Sequence, residues 1–131
     1  MLQVALAEDE RCVIASSQTG LFHEIAAEVS ECYPLKFRLF FLCGRDAAER
    51  IVSWNYDDAL SFTQQLEKFE LLVASRDGVY QPPLALKERI HTVHLSPEWN
   101  SISASGFRRA IRQNQDWEQF VSLGVARMIR Q

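Results

Sequence analysis

At 131 residues, 47% hydrophobic and 24% charged, the chain has ordinary globular composition and a length that suits a single domain over 1–131. A net charge of −3 and a pI of about 5.6 exclude an overall basic field that would draw it to nucleic acid. No apolar run approaches the ~18 residues a membrane helix needs, and "MLQVALAEDE" lacks the basic end and long apolar stretch of a signal peptide.

In chain order, strand-like and helix-like segments alternate. "RCVIAS" (11–16) is a short β-rich run. "TGLFHEIAAEVSEC" (19–32) puts Leu21, Phe22, Ile25, Ala26 and Val29 on one helical face, with Thr19 as its expected N-cap. "KFRLFFLCG" (36–44) is nearly all apolar, as a strand buried on both faces should be. "RDAAERIVSW" opens a helix in which Asp46 and Glu49 have capping-box spacing. "DDALSFTQQLEKF" (57–69) reads as a helix, "ELLVAS" (70–75) as a second buried strand, and "RDGVYQPP" (76–83) as a turn-rich loop. "LALKERI" reads as a short helix and "HTVHLS" (91–96) as a fourth strand. Helices follow near 106–114 and 117–130.

This alternation implies crossovers. The expected fold is α/β, with a mostly parallel, Rossmann-like sheet of about four strands and helices on both faces. Ligands of such sheets bind at the carboxyl ends of the strands. Three turns qualify: Gly44-Arg45-Asp46, Ser75 to Gly78, and Ser101 to Arg108.

Each candidate has a competing structural reading. In "SISASGFRR", Ser105 is taken as the helix cap, which puts free N–H groups beside Ser103, Ser105 and Arg108, a geometry suited to an anion. The alternative is a capped helix with solvated arginines; from Phe107 onward five arginines face only Asp116 and Glu118. Gly44 would let a ligand approach the backbone and Asp46 would accept hydrogen bonds from ribose hydroxyls, against a strand-ending glycine and a helix cap. Trp54 is either a platform for a flat ring or a packing residue, and Trp99 and Trp117 read as packing. His91 and His94, three apart in a strand, point to opposite faces and cannot share a metal, so no metal site is expected. The odd count and spacing of Cys12, Cys32 and Cys43 read as reduced, mostly buried thiols of a cytosolic protein. Cys43 reads as core, not nucleophile.

Together and in order, "FFLCGRDAAERIVSWNY", "FELLVASRDG", "ISASGFR" and "FVSLGVARMIR" resemble the nicotinate-mononucleotide adenylyltransferase family, within the wider nucleotidylyltransferase group. They look like its Gly-x-Asp strand end with the Ser-Trp pair beyond, its Arg-x-Gly loop, its ISSTxIR signature and its closing helix. The likeness covers nearly the whole chain. It implies a nucleotidyltransferase that joins the AMP part of ATP to nicotinate or nicotinamide mononucleotide, releasing pyrophosphate, in cytoplasmic NAD biosynthesis. Mg²⁺ would be carried by the ATP. Ser103, Ser105 and Arg108 would hold ATP phosphates, Gly44 and Asp46 would face a nucleotide ribose, Trp54 would stack on the pyridine ring, and Arg76 would lie near that pocket.

There are departures from the family pattern. Ala104 stands where the family has serine, Ser105 where it has threonine, Phe107 for isoleucine, Ser122 for proline, and Arg45 for a small residue. The family's opening GxFxPxHxGH segment, whose histidines grip the phosphates, is absent from the 131 residues, so no catalytic residue is assigned. The resemblance makes the chain the rear part of an incomplete fold, beginning at a Met internal to its parent. It is expected to be inactive alone. Without the family's central strands, 11–16 and 37–42 are expected to close on each other or to form a homodimer across exposed edges. The reading from another class is a non-catalytic nucleotide-binding or interaction remnant.

Overall fold

Phe22 stacks on Phe41 at 4.4 Å between ring centroids, and both meet the edge of Phe69; around these rings the sheet and its helices are assembled. The computed structural model describes residues 2–7, 9–33, 36–56, 60–75, 78–100 and 102–131. Its elements are helices α1 (Leu2–Ala5) and α2 (Phe22–Cys32), strand β1 (Phe40–Gly44), helices α3 (Arg45–Ser53) and α4 (Phe62–Gln65), strand β2 (Glu70–Ser75), a 3₁₀ turn (Leu84–Leu86), strand β3 (Ile90–His94), helices α5 (Pro97–Asn100) and α6 (Ala104–Arg112), a 3₁₀ turn (Glu118–Phe120), and helix α7 (Leu123–Ile129). They fall into two compact units, residues 17–100 and residues 1–16 with 101–131.

In the first unit the sheet is α/β in kind, parallel, three-stranded and ordered β1-β2-β3. The register pairs Phe41 with Leu71 and Cys43 with Val73, and Leu71 with Ile90. One face therefore carries Phe41, Cys43, Leu71, Val73 and Ile90. Onto it pack Ala26 of α2, Ala48 of α3, Phe62 of α4, and Leu66, Phe69, Tyr80 and Leu86. Burying such side chains contributes roughly 1.5–3 kcal/mol each.

Several expectations are corrected here. The sheet has three strands among the described residues, not four, because 12–17 forms no strand and its residues are exposed. A β-rich run without a partner has nothing to pack against, and strand propensity is largely packing. Residues 12–17 therefore offer no strand for the expected closure with 37–42. Strand β1 is shorter than 36–44 because β2 begins at Glu70, opposite Phe40. It is an edge strand, with Phe40 and Leu42 exposed, rather than a strand buried on both faces. Helices α2, α3 and α4 share one face, so these elements do not supply helices to both. Thr19 does not cap α2: its hydroxyl is within 3.2 Å of that of Ser17, and Leu21 occupies the cap position with no side-chain bond. Gly44 is the N-cap of α3, so Asp46 and Glu49 form no capping box. The 57–69 helix reduces to α4, capped by a reciprocal Ser61–Gln64 box; residues 57–59 lie outside the described residues. Cys12 and Cys32 are exposed and Cys43 half-buried, so burial fails for two of the three free thiols.

In the second unit, α1 and α7 approach closely at Gly124, where a Cβ would sit 2.7 Å from Val4 Cγ1. Phe107 meets Trp117 edge-on at 5.9 Å. Helix α6 ends at Arg112, where Asn114 takes a left-handed φ of 50°. Asn114 N–H then reaches the Ile111 carbonyl and Gln115 N–H the Ala110 carbonyl, the two bonds of a Schellman closure. The expected 117–130 helix is interrupted: Ser122 starts α7 by accepting from the Val125 amide. No helix among the described residues is long and apolar enough to cross a membrane.

Candidate functional site

The sequence-predicted residues fall into two groups, one in each unit. In the sheet unit, Gly44 closes β1 at the carboxyl end of the sheet. A Cβ there would meet nothing within 4 Å, so the turn stands open to an incoming group. Asp46 follows in the first turn of α3, where a carboxylate is favoured by the helix dipole. Its side chain is 86% exposed and lies 3.8 Å from Arg45 Nε, which is also 3.6 Å from Glu49. The Arg45 guanidinium reaches toward Gly78, where a Cβ would lie 3.5 Å from Nη1 and where φ is +89°. Arg45 therefore joins the start of α3 to the turn after β2. Arg76 lies outside the described residues.

At the far end of α3, Trp54 is 66% exposed. It lines a concavity of about 310 Å³ with Leu21, Ala47, Arg50, Ile51 and Tyr56, the size of a small-ligand site. The walls are mainly apolar with one cation. Arg50 Nε donates to the Asp46 carbonyl at 3.3 Å, and Tyr56 is fixed by donating its hydroxyl to the Ile51 carbonyl at 3.1 Å. Partial burial pushes the Tyr56 phenol above its ordinary value. Arg50 and Tyr56 were missed from sequence. For Arg50 a signal existed, since it is four residues from both Asp46 and Trp54, the spacing of neighbours along a helix. Burial raises the Cys43 thiol, which disfavours the thiolate a nucleophile requires.

In the other unit, Ser103 rather than Ser105 caps α6. Ser103 Oγ accepts from the Gly106 amide at 3.0 Å. Gly106 suits the contact, because a Cβ there would lie 3.1 Å from that oxygen. Ser105 is thereby the second residue of the helix, and Arg108 Nη2 donates to its Oγ at 3.4 Å. The first backbone bond of the helix is Phe107 N–H to the Ser103 carbonyl, so the amides of Ala104 and Ser105 precede the ladder. Ser103, Ser105 and Arg108 are all exposed. Beside them Ile102, Ser103, Gly106, Phe107, Ala110 and Phe120 line a concavity of about 180 Å³. An exposed helix start with serine hydroxyls and an arginine one turn in can accept an anion.

His91 and His94 lie on opposite faces, paired in register with Leu72 and Ser75 respectively. The sequence reading also missed what His91 does. Its Nε2 lies 2.5 Å from Glu70 Oε2, while Arg38 Nη2 donates to Oε1 at 2.8 Å and Arg89 stands 3.7 Å from the same oxygen. The bond from Arg38, then that from His91, holds the Glu70 carboxyl below its ordinary value. Glu70 thus ties the approach to β1 and the start of β3 to the central strand.

No protein-family model matches the chain, and no curated protein matches it.

Proposed function

We propose that the chain is a nucleotide-binding protein of nucleotidyltransferase type, with a Rossmann-like sheet, that serves adenylyl transfer from ATP to nicotinate or nicotinamide mononucleotide but is inactive alone. The observation that carries this reading is α3. It begins at the open Gly44 turn with Asp46 and ends at Trp54 beside an apolar concavity. A carboxylate for ribose hydroxyls and an exposed indole for a flat ring suit a mononucleotide whose ribose and base are read separately. In the other unit, Ser105, Arg108 and the first amides of α6 by themselves suit the phosphates of ATP. Mg²⁺ would arrive with the ATP. In such a transfer the acceptor phosphate attacks the α-phosphorus and pyrophosphate leaves, so positioning and charge stabilisation suffice without a nucleophilic side chain.

A second reading, a nucleotide-binding or interaction remnant of that fold with no part in the transfer, is favoured by one specific feature. The three histidines of the chain, His23, His91 and His94, include no His-x-Gly-His pair. Calorimetric titration of the chain with ATP and with nicotinate mononucleotide, followed by an assay of pyrophosphate release, tests both readings. Binding of both ligands with release at background supports the first, and binding of ATP without nicotinate mononucleotide supports the second. No binding of either ligand removes both.

A further inference from the structure

His23 stands in the first turn of α2, and its Nδ1 is buried with no hydrogen-bond partner among the described residues. Leaving such an atom unpaired is unfavourable, and native folds seldom do so without a role for it. His23 lines a cavity of about 70 Å³ together with Leu21, Ile51, Tyr56 and Gln65. The other two polar side chains there are tied to the backbone. Gln65 Nε2 donates to the Leu60 carbonyl at 2.7 Å, and the Tyr56 hydroxyl donates to the Ile51 carbonyl at 3.1 Å. Leu21, Ile51 and Tyr56 are also walls of the larger concavity beside Trp54, so the two spaces adjoin.

Resting on the reading that Trp54 seats a pyridine mononucleotide, we propose that His23 is the residue that recognises the polar substituent of its ring. The ring lies against the indole in the larger space. Its carboxyl or carboxamide group enters the smaller one and pairs with Nδ1. Either group is flat and compact enough for a space of about 70 Å³. The imidazole can serve both, since a protonated Nδ1 donates to a carboxylate and an unprotonated one accepts from a carboxamide N–H. A site built to hydrogen-bond one such group discriminates strongly against a ligand that lacks it, because its own buried atom is then left unpaired.

The test is calorimetric titration of the full chain and of His23→Leu, His23→Asn and His23→Gln. Leucine has nearly the bulk of histidine without a polar atom. The asparagine amide places a polar atom near the position of Nδ1, whereas the glutamine amide reaches that of Nε2 instead. Nicotinate and nicotinamide mononucleotide are titrated separately, and the tighter of the two identifies the substituent. His23→Leu and His23→Gln should each weaken that ligand at least about tenfold, the scale of one lost hydrogen bond, while His23→Asn keeps most of the affinity. ATP should bind all four proteins alike. The melting temperature of His23→Leu should equal or exceed that of the unsubstituted chain, because an apolar group has replaced an unpaired buried polar atom. If His23→Leu binds the mononucleotide as tightly as before, the proposal is overturned and the proposed function stands. Equal losses from the asparagine and glutamine variants also overturn it, as does a loss of affinity that comes with a lowered melting temperature, which would make His23 a packing residue. If the unsubstituted chain binds neither mononucleotide, the proposal and the reading of Trp54 fail together.

Discussion

The Ser103 hydroxyl accepts a hydrogen bond from the Gly106 amide at 3.0 Å, which starts α6 two residues earlier than the arginine-rich run suggests. The cap and the proposed phosphate contacts are therefore separable. Ser103→Ala should lower stability by about 1 kcal/mol, the usual cost of an N-cap. Ser105→Ala should leave the denaturation midpoint almost unchanged and weaken ATP binding instead. Urea melts and calorimetry on both variants check the division, and equal loss of stability from the two would show that the capping assignment is wrong.

Arg108 and Arg112 stand one turn apart on α6. If the helix start receives phosphate, Arg108→Ala should weaken ATP binding by about 1.5–3 kcal/mol, the scale of a charge-assisted hydrogen bond. Arg112→Ala, in the last turn, should do much less. Similar losses in a titration would mean a diffuse basic face.

Trp54 gives a cleaner separation of binding from folding because most of its surface is already in water. Trp54→Ala should cost about 0.5–1.5 kcal/mol in nicotinate mononucleotide affinity, the worth of aromatic stacking. The melting temperature should barely move. A large fall in melting temperature with unchanged affinity would make Trp54 a packing residue.

Glu70 predicts an acid-limb effect. Its carboxyl is held below the ordinary 4.5 by Arg38 and then by His91. A lowered folded value means that its contribution to stability is complete above the unfolded value and is lost as pH falls through the folded one. Wild-type denaturation midpoints should therefore drop as pH is lowered below about 4.5. Glu70→Gln should start lower at neutral pH and show a shallower acid decline. Parallel curves for the two proteins from pH 3 to 6 would contradict the assignment.

How much of this was legible in the sequence depends on where tertiary partners intervene. "ELLVAS" became β2 at its expected residues because a central strand, paired on both sides, needs the continuous apolar run its sequence carries. "RCVIAS" is as β-rich yet forms nothing, since no neighbouring strand meets it. The α3 helix was visible after the Gly44 turn, but the exposure of Trp54 beyond it was not, since a packing tryptophan fitted the sequence equally well. The cap of α3 was hidden, because Asp46 and Glu49 fit a capping box equally well two residues later. The one-turn α4 was hidden for a similar reason: Ser61 and Gln64 carry its cap inside a longer helix-like stretch. The Glu70 cluster could have been suspected, as a carboxylate opening an apolar run requires partners. That the partners are Arg38 and His91 follows only from the β1-β2-β3 order, which spacing does not encode.

The central claim is that these 131 residues bind nucleotide without turning it over. Losing one preorganised donor costs about 10²–10³ in rate, and no phosphate-gripping histidine pair is present in the chain. The direct measurement is titration with ATP and nicotinate mononucleotide on one sample, followed on the same sample by steady-state pyrophosphate release. The predicted result is saturable binding of each ligand with release at background. Absence of binding would contradict the nucleotide site, and robust turnover would contradict the claim that the chain is inactive alone.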